Sequence, residues 1–133
     1  MKKLACSLLI IVFLASGVLF LGIVHASKSV SGFIGSDTTW SAAESPYELT
    51  GPVGVPSGVT LTIEAGATVD FNTYYLQVNG TLNVHGTSDN RINLITTAPT
   101  VTTSQIQLMP SSTSWSGQTG SGCIIENANL DTV

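Results

Sequence analysis

VGVPSGVTLTIEAGATVDFNTYYLQVNGTLNVHG, residues 53–86, decides the fold. Apolar residues alternate with polar ones in short bursts: Val53 and Val55; Val59, Leu61 and Ile63; Val69 and Phe71; Leu76 and Val78; Leu82 and Val84. A period of two is the strand signal, because successive side chains point to opposite faces. Each burst lies close to a Gly, Asn-Gly or Pro-Ser-Gly turn. The bursts are too short and too closely spaced for a β-sandwich, whose turns fall roughly every eight to twelve residues. They suit a chain that coils, laying a short strand on each wall of a solenoid.

Outward toward the C-terminus the same texture continues. Residues 91–95 read as a strand after the turn at 86–90, and residues 96–104 break the pattern around Pro99. Residues 105–109 resume it with Ile106 and Leu108 inward. A Ser/Gly-rich loop at 110–122 carries Trp115, and residues 123–130 read as a last strand pair. Toward the N-terminus, residues 47–49 and 53–55 read as two separate strands. Residues 28–45 read as a lead-in with one short strand. The chain also contains a degenerate repeat, aliphatic-x-aliphatic, Gly turn, Thr-aliphatic-x-apolar. It lays Leu61-x-Ile63 and Thr68–Phe71 over Leu76-x-Val78 and Thr81–Val84. The expected organisation is residues 1–26 as a signal peptide or membrane anchor, 27–46 as lead-in and N-terminal cap, and 47–133 as coils that stop short of a complete stack.

Charge narrows the function. Charged residues are 9% of the 133, far below the usual quarter. Lys2 and Lys3 precede an uncharged apolar run, and Val24-His25-Ala26 before Ser27 offers a signal-peptidase site after Ala26. An uncleaved anchor is the alternative, since the run reaches spanning length. Either way the body is expected to be exported, secreted or held at the cell surface, touching membrane only through this segment. Beyond it Lys28 and Arg91 are the only Lys or Arg, against all eight acids, so nucleic acid is not an expected partner. Cys6 lies in the apolar segment, which leaves Cys123 as the mature chain's one thiol, expected to pack as a small buried hydrophobe.

The run DTTW…SPYELTG…VPSGVTLTIEAGATVDF…LQVNGTLNVHGT, followed by RINL and CIIENANL, resembles secreted right-handed parallel β-helix proteins of archaea and bacteria with a pectin-lyase-like fold. The resemblance covers about residues 37–133. It implies an all-β chain, three parallel sheets wound around a filled apolar core, in about four coils of twenty-odd residues each. Two departures stand out. Ala65 occupies a position where relatives usually have Pro. Relatives also place a Trp-Gly-aliphatic strand before the segment that here is Gly122-Cys123-Ile124-Ile125, whereas Trp115-Ser116-Gly117 runs straight into residues 118–122, so one strand is expected to be missing.

The chemistry-bearing residues are sparse. Pectin-lyase-like enzymes need acid clusters, or calcium-binding acids beside a base. Here the acids are scattered: Asp37, Glu44, Glu48, Glu64, Asp70, Asp89, Glu126 and Asp131. Glu64 and Asp70 could approach each other across stacked coils, but a solvated outer face is the favoured reading. Arg91 is expected to guard a strand start or to pair with Asp89. His85 alone makes no metal site and has no nucleophile beside it. No catalytic, cofactor or metal residue is therefore assigned, and no cofactor is expected. Trp40, Tyr74, Tyr75 and Trp115 are candidate carbohydrate contacts. For Trp40 the favoured reading is that, with Tyr47, it covers the open end of the core, and for Tyr74, Tyr75 and Trp115 that they fill the core or the stack. Asn79-Gly80-Thr81 is an N-glycosylation sequon that an Asn-Gly turn also explains.

The expected function is a structural or adhesion-type module at or beyond the cell surface, contacting polysaccharide or other cell-envelope components. The alternative is the N-terminal part of a polysaccharide lyase or glycoside hydrolase whose site lies on further coils. If the chain ends at residue 133, the last coil, at 123–133, should present unpaired strand edges that invite self-association.

Overall fold

The structure, a computed structural model, describes residues 26–98 and 104–131. The expected signal or anchor segment, Cys6 and the chain around Pro99 lie outside these residues. Eleven strands account for nearly all the regular structure: β1 (Lys28–Phe33), β2 (Thr38–Trp40), β3 (Tyr47–Val55), β4 (Thr60–Glu64), β5 (Thr68–Asp70), β6 (Tyr75–Val78), β7 (Thr81–His85), β8 (Ile92–Ile95), β9 (Gln105–Leu108), β10 (Ile124–Glu126) and β11 (Ala128–Leu130). The one helical turn described is a 3₁₀ turn at Ala42–Glu44. Among the described residues no helix is long and apolar enough to cross a membrane.

The strands form two sheets in which every pairing is parallel. The four-stranded sheet runs β10-β7-β4-β2. The seven-stranded sheet runs β11-β8-β5-β3-β6-β9, with β1 also pairing β3. Parallel neighbours require the chain to leave the sheet and return, and here each return passes through the other sheet. The seven-stranded sheet curls because β3 serves two flanks. Its Tyr47 and Glu48 pair with β5, while its Val53, Gly54 and Val55 pair with β6. The bend falls at Thr50-Gly51-Pro52, where the register against β1 shifts between Val30 and Gly32. Pro52 is tolerated there because a bulge needs no ladder donor at that point. The two short strands expected at 47–49 and 53–55 are thus one nine-residue strand.

The lead-in holds more structure than its composition suggests. Both β1 and β2 lie within it and are stacked on the following coil. Side-chain hydrogen bonds in the lead-in add to this pairing and to the burial of Trp40. Asp37 Oδ1 accepts from the Thr60 backbone N–H at 2.8 Å, and Ser45 Oγ accepts from that of Thr68 at 2.7 Å.

The core is a set of inward columns. Tyr47, Val69, Leu94 and Leu130 stack in register on one flank, and Val53, Leu76 and Ile106 on the other. Trp40, Ile63, Val84 and Ile125 form the column of the four-stranded sheet. Their middle members are fully buried, each side chain contributing about 1.5–3 kcal/mol. At the N-terminal end Trp40 and Tyr47 stack with ring centroids 5.0 Å apart and 14° between planes. At the other end Leu108, Ile125 and Leu130 hold inward positions yet stay exposed, because no described strand stacks on β9, β10 or β11.

The pairing corrects the repeat drawn from the sequence. Leu61 and Ile63 lie beside Leu82 and Val84, and Leu76 and Val78 lie beside Val53 and Val55. The unit is therefore about twenty-one residues, Thr60–Glu64 onto Thr81–His85, and Leu61-x-Ile63 does not stack on Leu76-x-Val78. Alternation alone is the same on every wall, so it cannot say which wall a burst belongs to. The expected missing strand is corrected too. The third coil fills each position with β8, β9 and β10, and β10 pairs directly with β7. Residues 110–122 are an excursion from that coil, pinned by Thr113 N–H to the Gly80 carbonyl at 2.9 Å and Cys123 N–H to the Thr113 carbonyl at 2.9 Å.

A small ionic network closes the N-terminal end. Lys28 Nζ donates to Glu44 Oε2 at 2.5 Å and sits 5.6 Å from the centre of the Tyr47 ring. Tyr47 Oη donates to Glu44 Oε2 at 3.1 Å and accepts from the Ser41 backbone N–H at 2.9 Å. The hydrogen bond from Lys28, followed by that from Tyr47, holds the Glu44 carboxyl below its ordinary value. A depressed carboxyl contributes stability above its unfolded-state value and loses it as pH falls through the folded one. Thermal melts of the wild type should therefore drop slightly more than those of Glu44→Gln as pH is lowered below about 4.5. The difference should be small, because the pair is solvent-exposed.

Candidate functional site

A groove of about 360 Å³ runs over the outer face of the four-stranded sheet. Its floor comes from alternation. With Leu61, Ile63, Leu82 and Val84 committed inward, Thr60 and Thr62 of β4 and Thr81, Asn83 and His85 of β7 must face out. Thr60, Thr81, Asn83, His85 and Ile124 line the groove from below. The excursion forms the wall with Thr113, Trp115 and residues 120–122. Trp115 is 48% exposed, which leaves much of its ring to solvent. The wall is tied to the floor by Thr81 Oγ1 donating to Thr113 Oγ1 at 2.9 Å. Its tip is a tight turn in which Ser116 N–H bonds the Ser121 carbonyl and Gly120 N–H bonds the Ser116 carbonyl, both at 2.8 Å. Gly122, at φ +116° with the Ser114 carbonyl packed where a Cβ would go, lets the chain turn back into β10.

At one end of the groove the outward row is ionisable. Glu64 pairs in register with His85, and His85 with Glu126. His85 Nδ1 lies 3.4 Å from Glu126 Oε2. The row was readable as the final residue of three matching segments, TLTIE, TLNVH and CIIE, once the correct repeat is used. Glu64 and Asp70 do not approach across stacked coils, since β4 and β5 belong to different sheets. Asp70 is instead a turn residue: its Oδ1 accepts from the backbone N–H of Asn72 and of Thr97, and Thr97 Oγ1 bonds its Oδ2. Among the described residues no group of three His, Cys, Asp or Glu is placed to hold a metal ion.

The four candidate carbohydrate contacts do not converge. Trp115 rims the groove. Trp40 is 4% exposed and belongs to the core, so its faces are taken by packing. Tyr74 is half-buried against the core. Tyr75 lies on another wall, where with Phe33, Pro52 and Gln77 it lines a shallower hollow of about 130 Å³. Asn79 is half-buried at the β6–β7 turn, its Oδ1 accepting from Ser111 Oγ at 2.9 Å. Arg91 precedes β8, as a strand guard would, but neither described ion pair includes it, so the alternative pairing with Asp89 is not formed. Cys123 is half-buried against the core, its sulfur 3.3 Å from the Leu82 backbone N.

No family model, no curated protein and no solved structure matches the chain.

Proposed function

We propose that this chain is an exported structural or adhesion-type module, a short right-handed parallel β-helix of the pectin-lyase-like kind, that holds polysaccharide at the cell surface or beyond it. The observation carrying this reading is the groove beside Trp115. A half-exposed indole on one rim can stack on the apolar face of a sugar ring. On the floor below it, Thr60 and Thr81 are cross-strand neighbours about 4.8 Å apart and Asn83 lies two residues farther along β7, so hydroxyl and amide groups are available there. That combination suits an extended chain of hydroxylated rings. The excursion keeps its position through backbone bonds to Gly80 and Cys123. The ligand therefore meets a largely pre-formed surface.

Depletion binding to insoluble polysaccharides tests the reading. Trp115→Ala should weaken binding about tenfold while leaving the melting temperature unchanged within a degree or two. Binding that is indifferent to Trp115 would remove the groove from consideration. Release of soluble sugar in the same tubes would favour the alternative, a lyase or hydrolase.

The exposed inward positions Leu108, Ile125 and Leu130 support a second proposal, that two copies associate through the edges of β9, β10 and β11. Light scattering of the chain without residues 1–26 should show a mass that rises with concentration, and Leu130→Glu should return it to monomer. A wild type that stays monomeric at high concentration would rule this association out.

A further inference from the structure

The turn between β6 and β7 carries Asn79-Gly80, the chain's one Asn-Gly pair. In a flexible chain such a pair is chemically labile. The backbone nitrogen after Asn attacks the side-chain Cγ, ammonia leaves, and a succinimide ring closes. Water then opens the ring at either carbonyl, giving aspartate or isoaspartate. Glycine favours the attack because it has no side chain in the way and turns freely. Here that freedom is gone. Gly80 is buried and held from two sides. Its N–H bonds the Val55 carbonyl at 3.1 Å in the preceding coil, and its carbonyl accepts from Thr113 N–H at 2.9 Å in the excursion that follows β9. The Asn79 N–H shares the Val55 carbonyl at 2.8 Å. The Asn79 side chain is drawn the other way, its Oδ1 accepting from Ser111 Oγ at 2.9 Å. The nucleophile's proton is thus committed to one coil and the electrophilic amide to another.

We infer that Asn79-Gly80 is a latent modification site, kept unreactive by the coil stack and converted to isoaspartate when the turn opens. The conversion runs one way. Isoaspartate routes the main chain through the side-chain methylene and so adds a backbone atom before the Gly80 nitrogen. The two N–H groups can then no longer share the Val55 carbonyl. Gly80 has no slack to absorb the change, since the carbonyl oxygens of Pro56 and Val59 lie 2.2 Å from where its Cβ would be. Displacing Gly80 also breaks the bond from Thr113 N–H, an anchor of the excursion that holds Trp115. Opening of this turn would therefore be recorded covalently and would release the wall of the groove.

Peptide mapping with isoaspartate detection tests the inference on the whole chain, held in mildly alkaline buffer with and without guanidinium chloride. Deamidation at Asn79 should be at least about tenfold slower in the native protein than in denaturant, as for a site reached only by local opening. Ser111→Ala frees the Asn79 amide without touching the core. It should speed the native reaction about fivefold, the effect of one lost hydrogen bond, and leave the denatured rate unchanged. Equal rates in the two solvents, or a native rate that Ser111→Ala does not raise, would overturn the inference. For the consequence, isoaspartyl protein purified from the denatured reaction and refolded should be cut after Trp115 by chymotrypsin about tenfold faster than Asn79→Asp taken through the same cycle. That variant has the same charge, an ordinary backbone and an oxygen for Ser111. Cleavage of both at one rate would overturn the release of the wall.

Discussion

Phe71→Ala is expected to cost about 3–5 kcal/mol, the usual range for removing a buried phenyl ring. Phe71 is fully buried, and the chain around it is fixed. Its N–H bonds the Ile95 carbonyl at 2.9 Å, and its carbonyl accepts from Tyr74 N–H at 2.8 Å. The ring therefore fills the corner between the two flanks of the curled sheet from an anchored backbone, and neighbours on short, hydrogen-bonded strands cannot collapse far into the space it would leave. A domain of this size has about 5–15 kcal/mol in total, so the variant should be near its unfolding threshold at room temperature. Urea unfolding followed by circular dichroism reads this directly, and Phe71→Leu should cost less than about 1.5 kcal/mol. If Phe71→Ala lost no more than the leucine variant, the ring would not be the packing element described here.

Gly80→Ala should cost about 3 kcal/mol, at the upper end for overpacking, even though it adds a single methyl group. A Cβ at Gly80 would lie 2.2 Å from the carbonyl oxygens of both Pro56 and Val59. Those atoms are backbone in the preceding coil, and they cannot swing aside as a side-chain tip could. The contact is close because Asn79 and Gly80 N–H groups both bond the Val55 carbonyl, and Thr81 N–H bonds that of Val59. Relief would have to separate two coils along this line and lengthen those bonds. The melting temperature should fall by roughly 12–20 °C. Gly117→Ala is the matched control: a Cβ there meets nothing within 4 Å, so its effect should stay within about 0.5 kcal/mol. Equal stability of the two variants would contradict the coil spacing at the β6–β7 turn.

These residues differ in how openly they announce themselves. Phe71 could be placed in the core from alternation, because Val69 and Phe71 share a face whatever wall they stand on. Gly80 could be marked as a turn residue from Asn-Gly, but the reason it admits no side chain lies in the coil beneath it, some twenty residues earlier. The same division runs through the candidate site. That Thr60, Thr81, Asn83 and His85 face away from the core follows from two-residue periodicity. That they form one floor, with Glu64, His85 and Glu126 in a single row, depends on which strand stacks on which.

From β4 onward, local patterning was sufficient for most strands and turns and for the inward or outward sense of their side chains, since these depend on neighbours one or two positions away. Stacking register, the merging of two short strands into β3, the placement of β1 and β2, and the excursion that carries Trp115 to the groove were decided only by the folded chain. They depend on hydrogen bonds between residues about twenty to forty positions apart, such as Asp37 with Thr60 and Thr113 with Gly80. A periodic sequence states such pairings ambiguously, because several registers bury the same apolar residues. The native one is selected by backbone closeness at Gly80 and Gly86, and by single polar side chains that fit one neighbour and no other.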